Sequence, residues 1–206
     1  MSAKPAARLE KKKDCRGDAA RRGAILRAAE KLFRHYGPLK TTIGEIAREA
    51  GIGVGSVYLE FGSKDEIVAE LSTERHDLVL ERMRRAAGEG PYAERLSRAL
   101  EARIEALFDL ARRGAHSCDL VLCNAGPVKA AHGRFRIEEL AFVAELLREG
   151  ARAGELAVEQ PELSAELVQR AHATLSPPWL FELERQRALA LCRALNDLLL
   201  DGLRAR

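Results

Sequence analysis

The chain is poor in the features that mark secreted and membrane-embedded proteins. Its four cysteines contain no C-x-x-C pair, unlike the dense disulfide frameworks of small secreted domains. No apolar stretch is long enough to cross a bilayer, and the N-terminus carries charges but no apolar segment of a signal peptide. We therefore expect a cytoplasmic protein with no membrane partner.

The chain also has little that favours β-structure. Aromatic residues make up only 5% of the sequence, and there is no run of four or more β-branched residues. Leu, Ala, Glu and Arg dominate instead, and all four are strong helix formers. With 47% hydrophobic residues the chain can bury a sizeable core. These features predict an all-α fold.

Basic residues are concentrated near the N-terminus. Residues 1–66 contain 14 Lys and Arg against 9 Asp and Glu, whereas the remaining 140 residues contain 20 against 22. A basic end on a nearly neutral body is typical of a protein that meets a polyanion, although a solvated basic tail explains residues 4–22 equally well.

Apolar residues recur at helical spacing along most of the chain. We expect a flexible basic arm over residues 1–18 and irregular structure over 114–133. Thr42 and Ser63 are predicted to cap the second and fourth helices, with Glu45 completing a capping box. The predicted helices cover residues 19–36, 43–50, 54–61, 64–87, 92–113, 134–153, 162–175 and 179–203.

Two of these helices are short and joined by a glycine turn, which is the plan of a helix-turn-helix. Small residues at Ala47 and Gly51 would let the two helices cross closely. Residues 41–67, TTIGEIAREAGIGVGSVYLEFGSKDEI, resemble the DNA-binding signature of the TetR family of bacterial transcriptional regulators. The resemblance covers residues 20–67 closely and the remainder only in helix number and order.

The resemblance implies a domain division and a role for individual residues. Residues 19–66 would form a three-helix DNA-binding domain, and 67–206 a helical domain for effector binding and dimerisation. Tyr58 and Lys64 would bind phosphates, and Thr42 would cap its helix and touch the DNA backbone. The full set of implied DNA contacts is Thr41, Thr42, Val54, Gly55, Ser56, Tyr58, Leu59 and Lys64.

Two positions depart from the family pattern. Gly53 stands where the family has Ser or Thr at the start of the recognition helix, which weakens its first turn by a few tenths to about 1 kcal/mol. Glu60 stands where the family has His or Tyr near the phosphates, so an acid there either faces away or narrows the set of acceptable operators.

The resemblance also implies a homodimer and a small-molecule inducer that releases a repressor from operator DNA. Helices 162–175 and 179–203 would build the dimer interface, although their apolar stripes could also be buried within one chain. The predicted walls of the inducer pocket are Leu100, Ile104, Phe108, Leu122, Phe142 and Leu146. Nothing in the sequence identifies the inducer.

One cluster keeps a different function open. His116, Cys118, Cys123 and His132 lie in the irregular stretch and could form a metal-responsive or thiol-responsive sensor. Their spacing matches no tight ligand motif, and free cysteines are often simply buried. The sequence shows no catalytic arrangement of a nucleophile with a base and no paired carboxylates. We therefore expect no enzyme activity, no cofactor and no bound metal.

Overall fold

The computed structural model describes residues 15–112, 116, 119–122 and 126–203. Within these residues the chain is helical and forms no β-strand, which confirms the predicted all-α fold. The helices are α1 (Cys15–Lys40), α2 (Ile43–Ala50), α3 (Val54–Glu60), α4 (Lys64–Ala87), α5 (Tyr92–Ala111), α6 (Asp119–Leu122), α7 (Gly126–Arg152), α8 (Pro161–Ala171) and α9 (Arg185–Leu203). Two 3₁₀ helices, Ala173–Leu175 and Trp179–Glu182, connect α8 to α9.

Several helix boundaries differ from the prediction. Helix α1 begins at Cys15 and resumes after a kink at Gly37, whose φ of 77° is a left-handed conformation that glycine adopts at little cost. Helix α7 begins at Gly126, so residues 126–133 are helical rather than irregular, because burying Val128 and Ala131 outweighs the low helix propensity of glycine. The last predicted helix is interrupted at Leu183, which is extended.

A small hydrophobic core holds the N-terminal domain together. It combines the apolar faces of α1, α2 and α3 with the first two turns of α4. Leu120 of α6 and Val128 of α7 also insert into this core, so it includes residues well beyond the three N-terminal helices. Its main side chains are Ile25, Ala29, Phe33, Ile46, Val57, Phe61, Ile67 and Leu71.

Helix α4 belongs to both domains. Its first half packs in the small core, and its second half, from Val79 to Ala87, packs in the larger core against α5. Polar contacts fasten α4 to neighbouring elements as well. The Ser72 hydroxyl donates to the Leu120 carbonyl at 2.6 Å, and Arg75 forms an ion pair with Glu30 of α1. None of the helices in the described ranges is both long and apolar enough to span a membrane.

Candidate nucleic-acid interface

The start of α2 is fixed by the predicted capping box. The Thr42 hydroxyl accepts a hydrogen bond from the Glu45 backbone N–H at 3.3 Å, and the Thr42 N–H donates to the Glu45 carboxylate at 2.8 Å. The hydrogen bond from the Thr42 backbone, followed by that from its hydroxyl, lowers the pKa of Glu45. The carboxylate is therefore ionised near neutral pH, and its charge favours the N-terminus of α2.

The end of α2 sets the direction of α3. Gly51 adopts a left-handed conformation, with φ 69° and ψ 29°, and the Ile52 N–H donates to the Ala47 carbonyl at 3.0 Å. Ala47 is buried, which is consistent with a close approach of the two helices. The α3 helix then starts at Val54, and the preceding N-cap residue, Gly53, has no side chain that could cap it.

Helix α3 is anchored on one side and open on the rest of its surface. Val57 is completely buried in the small core, whereas Val54, Tyr58 and Leu59 are 45%, 53% and 79% exposed. Gly55 is also exposed, and Ser56 is half-buried. The residues that the sequence assigned to DNA contact on this helix therefore share one accessible surface.

The two adjacent threonines face in different directions. Thr42 is exposed, but Thr41 is only 2% exposed, and its hydroxyl donates to the Gly37 carbonyl at 2.9 Å. This side chain does not share the exposed surface of Thr42 and α3, and the DNA contact that the resemblance implies for Thr41 stays a prediction. Its role is to close the turn between α1 and α2.

Lys64 is engaged within the chain. Its ammonium group donates to the carbonyls of Pro38 at 2.7 Å, Thr41 at 2.9 Å and Leu39 at 3.4 Å. An ammonium group has three N–H donors, so these contacts use its full capacity. The phosphate contact that the sequence assigned to Lys64 stays a prediction, and it would have to replace one of these hydrogen bonds.

Glu60 faces away from the exposed surface of α3. Its carboxylate accepts from Arg21 Nε at 2.7 Å, and its backbone carbonyl accepts from Arg22 at 2.8 Å. The Arg22 guanidinium also lies 4.0 Å from the centre of the Phe61 ring and pairs with Glu70. Two of the basic residues near the N-terminus therefore bind α3 and α4 in the protein itself.

Sequence reasoning missed two exposed residues at the corner between α1 and α2. Leu39 is one of the most exposed large apolar side chains, and Lys40 is exposed and makes no ion pair with any described residue. Both follow the Gly37-Pro38 break and precede the cap of α2. Because short connections lie at the surface, an apolar residue and a lysine between this break and the cap could have been predicted from the sequence to be exposed.

The predicted inducer pocket is largely filled by core packing. Ile104 and Leu146 are buried in the larger core, while Phe108 and Phe142 pack against it. Leu100 lines a small gap of about 10 Å³, and the Leu122 side chain lies outside the described residues. The apolar spacing predicted burial correctly, but burial alone does not place a cavity.

A buried polar network that was not predicted from the sequence crosses the same region. Arg103 and Glu139 are both buried and form an ion pair at 2.5 Å. Nearby, His172 Nε2 lies 2.9 Å from Asn196 Oδ1, and burial lowers the pKa of His172. The sequence does contain an indication of this network, because Arg103 interrupts the apolar stripe of α5 and Glu139 interrupts that of α7. A charged residue on a buried helix face requires a buried partner.

The two helices predicted to form a dimer interface expose apolar side chains. Leu163 and Leu167 stand one turn apart on α8, and Leu198 on α9 is 76% exposed. The opposite side of each helix is buried in the larger core, at Ala165, Val168, Cys192 and Leu200.

The structure describes only two of the four residues in the histidine and cysteine cluster. Cys118 and Cys123 lie outside the described residues. His116 Nδ1 lies 3.0 Å from Asp119, whereas the His132 ring packs against His76 and Phe135. Within the described part of the chain, no group of three or more His, Cys, Asp or Glu side chains could hold a metal ion.

Comparisons with known proteins agree with this geometry. Residues 25–71 match the model of a family described as bacterial regulatory proteins, tetR family. The match covers α1 from Ile25 to the first two turns of α4, and so includes the whole of α2 and α3.

Two relatives and one solved structure extend the comparison. The uncharacterized HTH-type transcriptional regulator YhgD of Bacillus subtilis (strain 168) is 26% identical over 173 residues, 77% of this chain and 84% of YhgD. The HTH-type transcriptional regulator HbdR of Aromatoleum sp. (strain CIB) is 50% identical over 48 residues, only 23% of this chain and 21% of HbdR. The Bacillus subtilis FadR structure in complex with stearoyl-CoA has a TM-score of 0.65 at 20% identity, and the match covers 87% of this chain and 98% of FadR.

Proposed function

Because this chain belongs to the TetR family of bacterial regulatory proteins, we propose that it is a dimeric repressor that a small molecule releases from operator DNA. The DNA-binding part of this proposal rests on one observation: α3 exposes one surface while its other side is packed in the small core. Val57 and Phe61 anchor α3 in the small core, and the capping box and the Gly51 turn fix its direction. A short, rigid helix with an open surface can enter the major groove.

The contact surface combines few charges with apolar and small side chains. Val54, Gly55 and Leu59 suit contacts with thymine methyl groups, and Ser56 can hydrogen-bond to a base edge. Tyr58 and Thr42 carry hydroxyls for phosphate oxygens. Since Arg21, Arg22 and Lys64 are engaged within the chain, we expect ionic phosphate contacts to come from other basic residues, such as the exposed Lys40, and affinity to fall with salt.

A test starts from selection of an operator from a random duplex library with the full chain. Affinity of the selected duplex is then measured by fluorescence anisotropy for the wild type and for Tyr58→Phe. We expect Tyr58→Phe to weaken binding about tenfold, because a hydrogen bond to a charged phosphate contributes about 1.5–3 kcal/mol.

Tyr92→Phe provides the matched control, since Tyr92 lies at the start of α5 in the larger domain. It removes the same hydroxyl from the other domain and should leave affinity unchanged. Failure to select any duplex would refute the DNA-binding function. Equal affinity of both variants and the wild type would refute the role of Tyr58.

The dimer is supported by the exposed apolar side chains of α8 and α9. Leu163, Leu167 and Leu198 remain exposed in a chain that buries its other leucine stripes, and a partner chain would cover them. Two copies also place two α3 helices on successive major grooves. Leu198→Glu should give a monomer in sedimentation equilibrium, whereas Leu59→Glu should remain dimeric and lose operator binding. A dimeric Leu198→Glu variant would contradict this interface.

Helix α4 provides a route for release by a ligand. It begins beside the α1–α2 corner through Lys64 and reaches the larger core through His76 and Val79. A ligand among α5, α7 and α8 that shifts α4 would also move α2 and α3 relative to the partner. The FadR structure, which shares this fold, was solved in complex with stearoyl-CoA. This supports the proposal that the effector is a small molecule.

A further inference from the structure

A charged cleft opens between α7, α8 and the connection to α9. Its cavity volume is about 350 Å³, which is within the range of small-molecule sites. The buried Arg103 and Glu139 form part of its wall, Arg136 and Gln169 stand beside them, and Trp179 lies at the margin. Of the six residues predicted for the inducer pocket, the five whose side chains the structure describes do not line this cleft.

Arg103 is a buried cation directed at this cleft. Its side chain donates to the Leu175 carbonyl at 3.1 Å and to the Ser176 hydroxyl at 2.7 Å, so both terminal nitrogens are bound. Its Nε lies 2.5 Å from Glu139, so the third nitrogen is held in the buried ion pair. Arg103 is 5% exposed, and it contributes positive charge to the wall of the cleft.

The charges of the cleft do not cancel. Glu139 offsets Arg103, and Glu166 pairs with Arg170, but Arg136 has no acidic partner among the described residues. The Arg136 guanidinium donates only to the Gln169 amide oxygen, at 3.0 Å. One unit of positive charge is therefore left without a counter-ion in the wall.

The positive charge of the cleft also affects the protonation of His132. Burial lowers the pKa of His132, which lines the cleft, and Arg136 and Arg103 lower it further. His132 is therefore neutral near pH 7 and does not add to the charge. An anion in the cleft would be bound by arginine, whose planar fork matches a carboxylate with two parallel hydrogen bonds.

We propose that this cleft binds a small organic monocarboxylate with an apolar body. The carboxylate binds Arg136 in place of the Gln169 amide oxygen. Trp179 is about half exposed beside Pro177 and Ala173, and it covers the apolar body. A single excess charge favours a monocarboxylate over a phosphate dianion. In the regulator proposed above this acid is the effector, so the inference rests on that function.

Trp179 also provides the measurement, because it is the only tryptophan of the chain. The full chain without DNA is titrated with hexanoate, octanoate and 3-phenylpropanoate while Trp179 emission is recorded, and calorimetry repeats each titration. We expect a saturable change with at least one carboxylate. Its neutral amide should bind at least about tenfold more weakly, because a charge-assisted hydrogen bond to arginine is lost.

Two variants test the site itself. Arg136→Gln should weaken carboxylate binding about tenfold or more, since the unpaired cation is removed. Arg152→Gln makes the same substitution at an exposed position near the other end of α7, 16 residues and about 24 Å away, and should bind as the wild type. Circular dichroism checks that both variants fold.

Several outcomes would overturn the inference. These are the absence of any carboxylate binding, equal binding of acid and amide, saturation by inorganic phosphate alone, or an Arg136→Gln variant that binds as the wild type. Operator affinity measured with and without the acid distinguishes the effector role from the binding site. If the acid binds and operator affinity is unchanged, the acid is not the effector, although the carboxylate site is confirmed. If no acid binds but the protein binds its operator, the carboxylate proposal is wrong and the proposed DNA-binding function is unaffected.

Discussion

Removal of the Lys64 ammonium group should destabilise the N-terminal domain. Lys64→Met keeps most of the aliphatic side chain but removes the hydrogen bonds to Pro38 and Thr41, at 2.7 and 2.9 Å, and the weaker one to Leu39. Hydrogen bonds from a charged donor contribute about 1.5–3 kcal/mol each when buried, and these are only partly buried. A cation is unfavourable at the N-terminus of a helix, so its removal from α4 stabilises the folded state by about 0.3–1 kcal/mol. We expect a net loss of about 2 kcal/mol of unfolding free energy.

The assay combines urea unfolding with operator affinity across a range of salt. Unfolding is measured at a fixed protomer concentration, because the stability of a dimer depends on it. If Lys64 acts through the α1–α2 corner, affinity falls while the salt slope stays constant. If Lys64 binds a phosphate, the slope falls by about 0.9.

Lys40→Met is the matched control, since Lys40 is exposed and lacks an ion-pair partner among the described residues. It should leave the unfolding free energy unchanged. A Lys64→Met variant with unchanged stability and a salt slope lower by about 0.9 would refute the role derived from the hydrogen bonds.

Three further predictions concern buried polar groups. Thr41→Val should cost about 1–2 kcal/mol in urea unfolding, because the hydrogen bond to Gly37 is lost in a buried place, and an unchanged midpoint would contradict this. Glu139→Ala should cost about 3–5 kcal/mol, since it leaves the Arg103 charge unpaired, and the double variant with Arg103→Met should recover part of that loss. Strict additivity of the two changes would show that the pair does not interact. Burial lowers the pKa of His76 to about 4, so below pH 6.5 the unfolded chain binds a proton that the folded chain does not, and the unfolding free energy should fall by up to about 3 kcal/mol as the pH drops to 4. His76→Gln should flatten that pH profile, and an identical profile would contradict the assignment.

The N-terminal domain was predictable because its signals are local. The Thr42–Glu45 box, the Gly51 turn and the Ser63 cap each involve residues at most five positions apart. Long-range partners were not predictable in the same way. Thr41 and Thr42 are chemically identical neighbours, and only the kink at Gly37 decides which of them is buried. The partners of Lys64 lie 23 to 26 residues away, beyond the reach of a local pattern.

The larger domain shows what apolar periodicity can and cannot predict. The spacing of Ile104 and Leu146 identified buried faces correctly, and it said nothing about a cavity. The cleft lies instead where charged residues interrupt the stripes, at Arg103 and Glu139. A charge on an apolar helix face needs a buried partner, and such a partner is supplied by another element at a distance that a single sequence does not reveal.

The position of the cleft relative to α4 gives ligand binding a mechanical consequence. His132 lines the cleft, and its ring centre lies 5.5 Å from that of His76 on α4. Twelve residues separate His76 from Lys64, about 18 Å along the helix, and Arg75 ties the intervening part of α4 to Glu30 of α1. An acid that moves His132 therefore acts on a helix whose other end supports the α1–α2 corner. Typical coupling free energies of about 1–3 kcal/mol would change operator affinity roughly 5- to 150-fold.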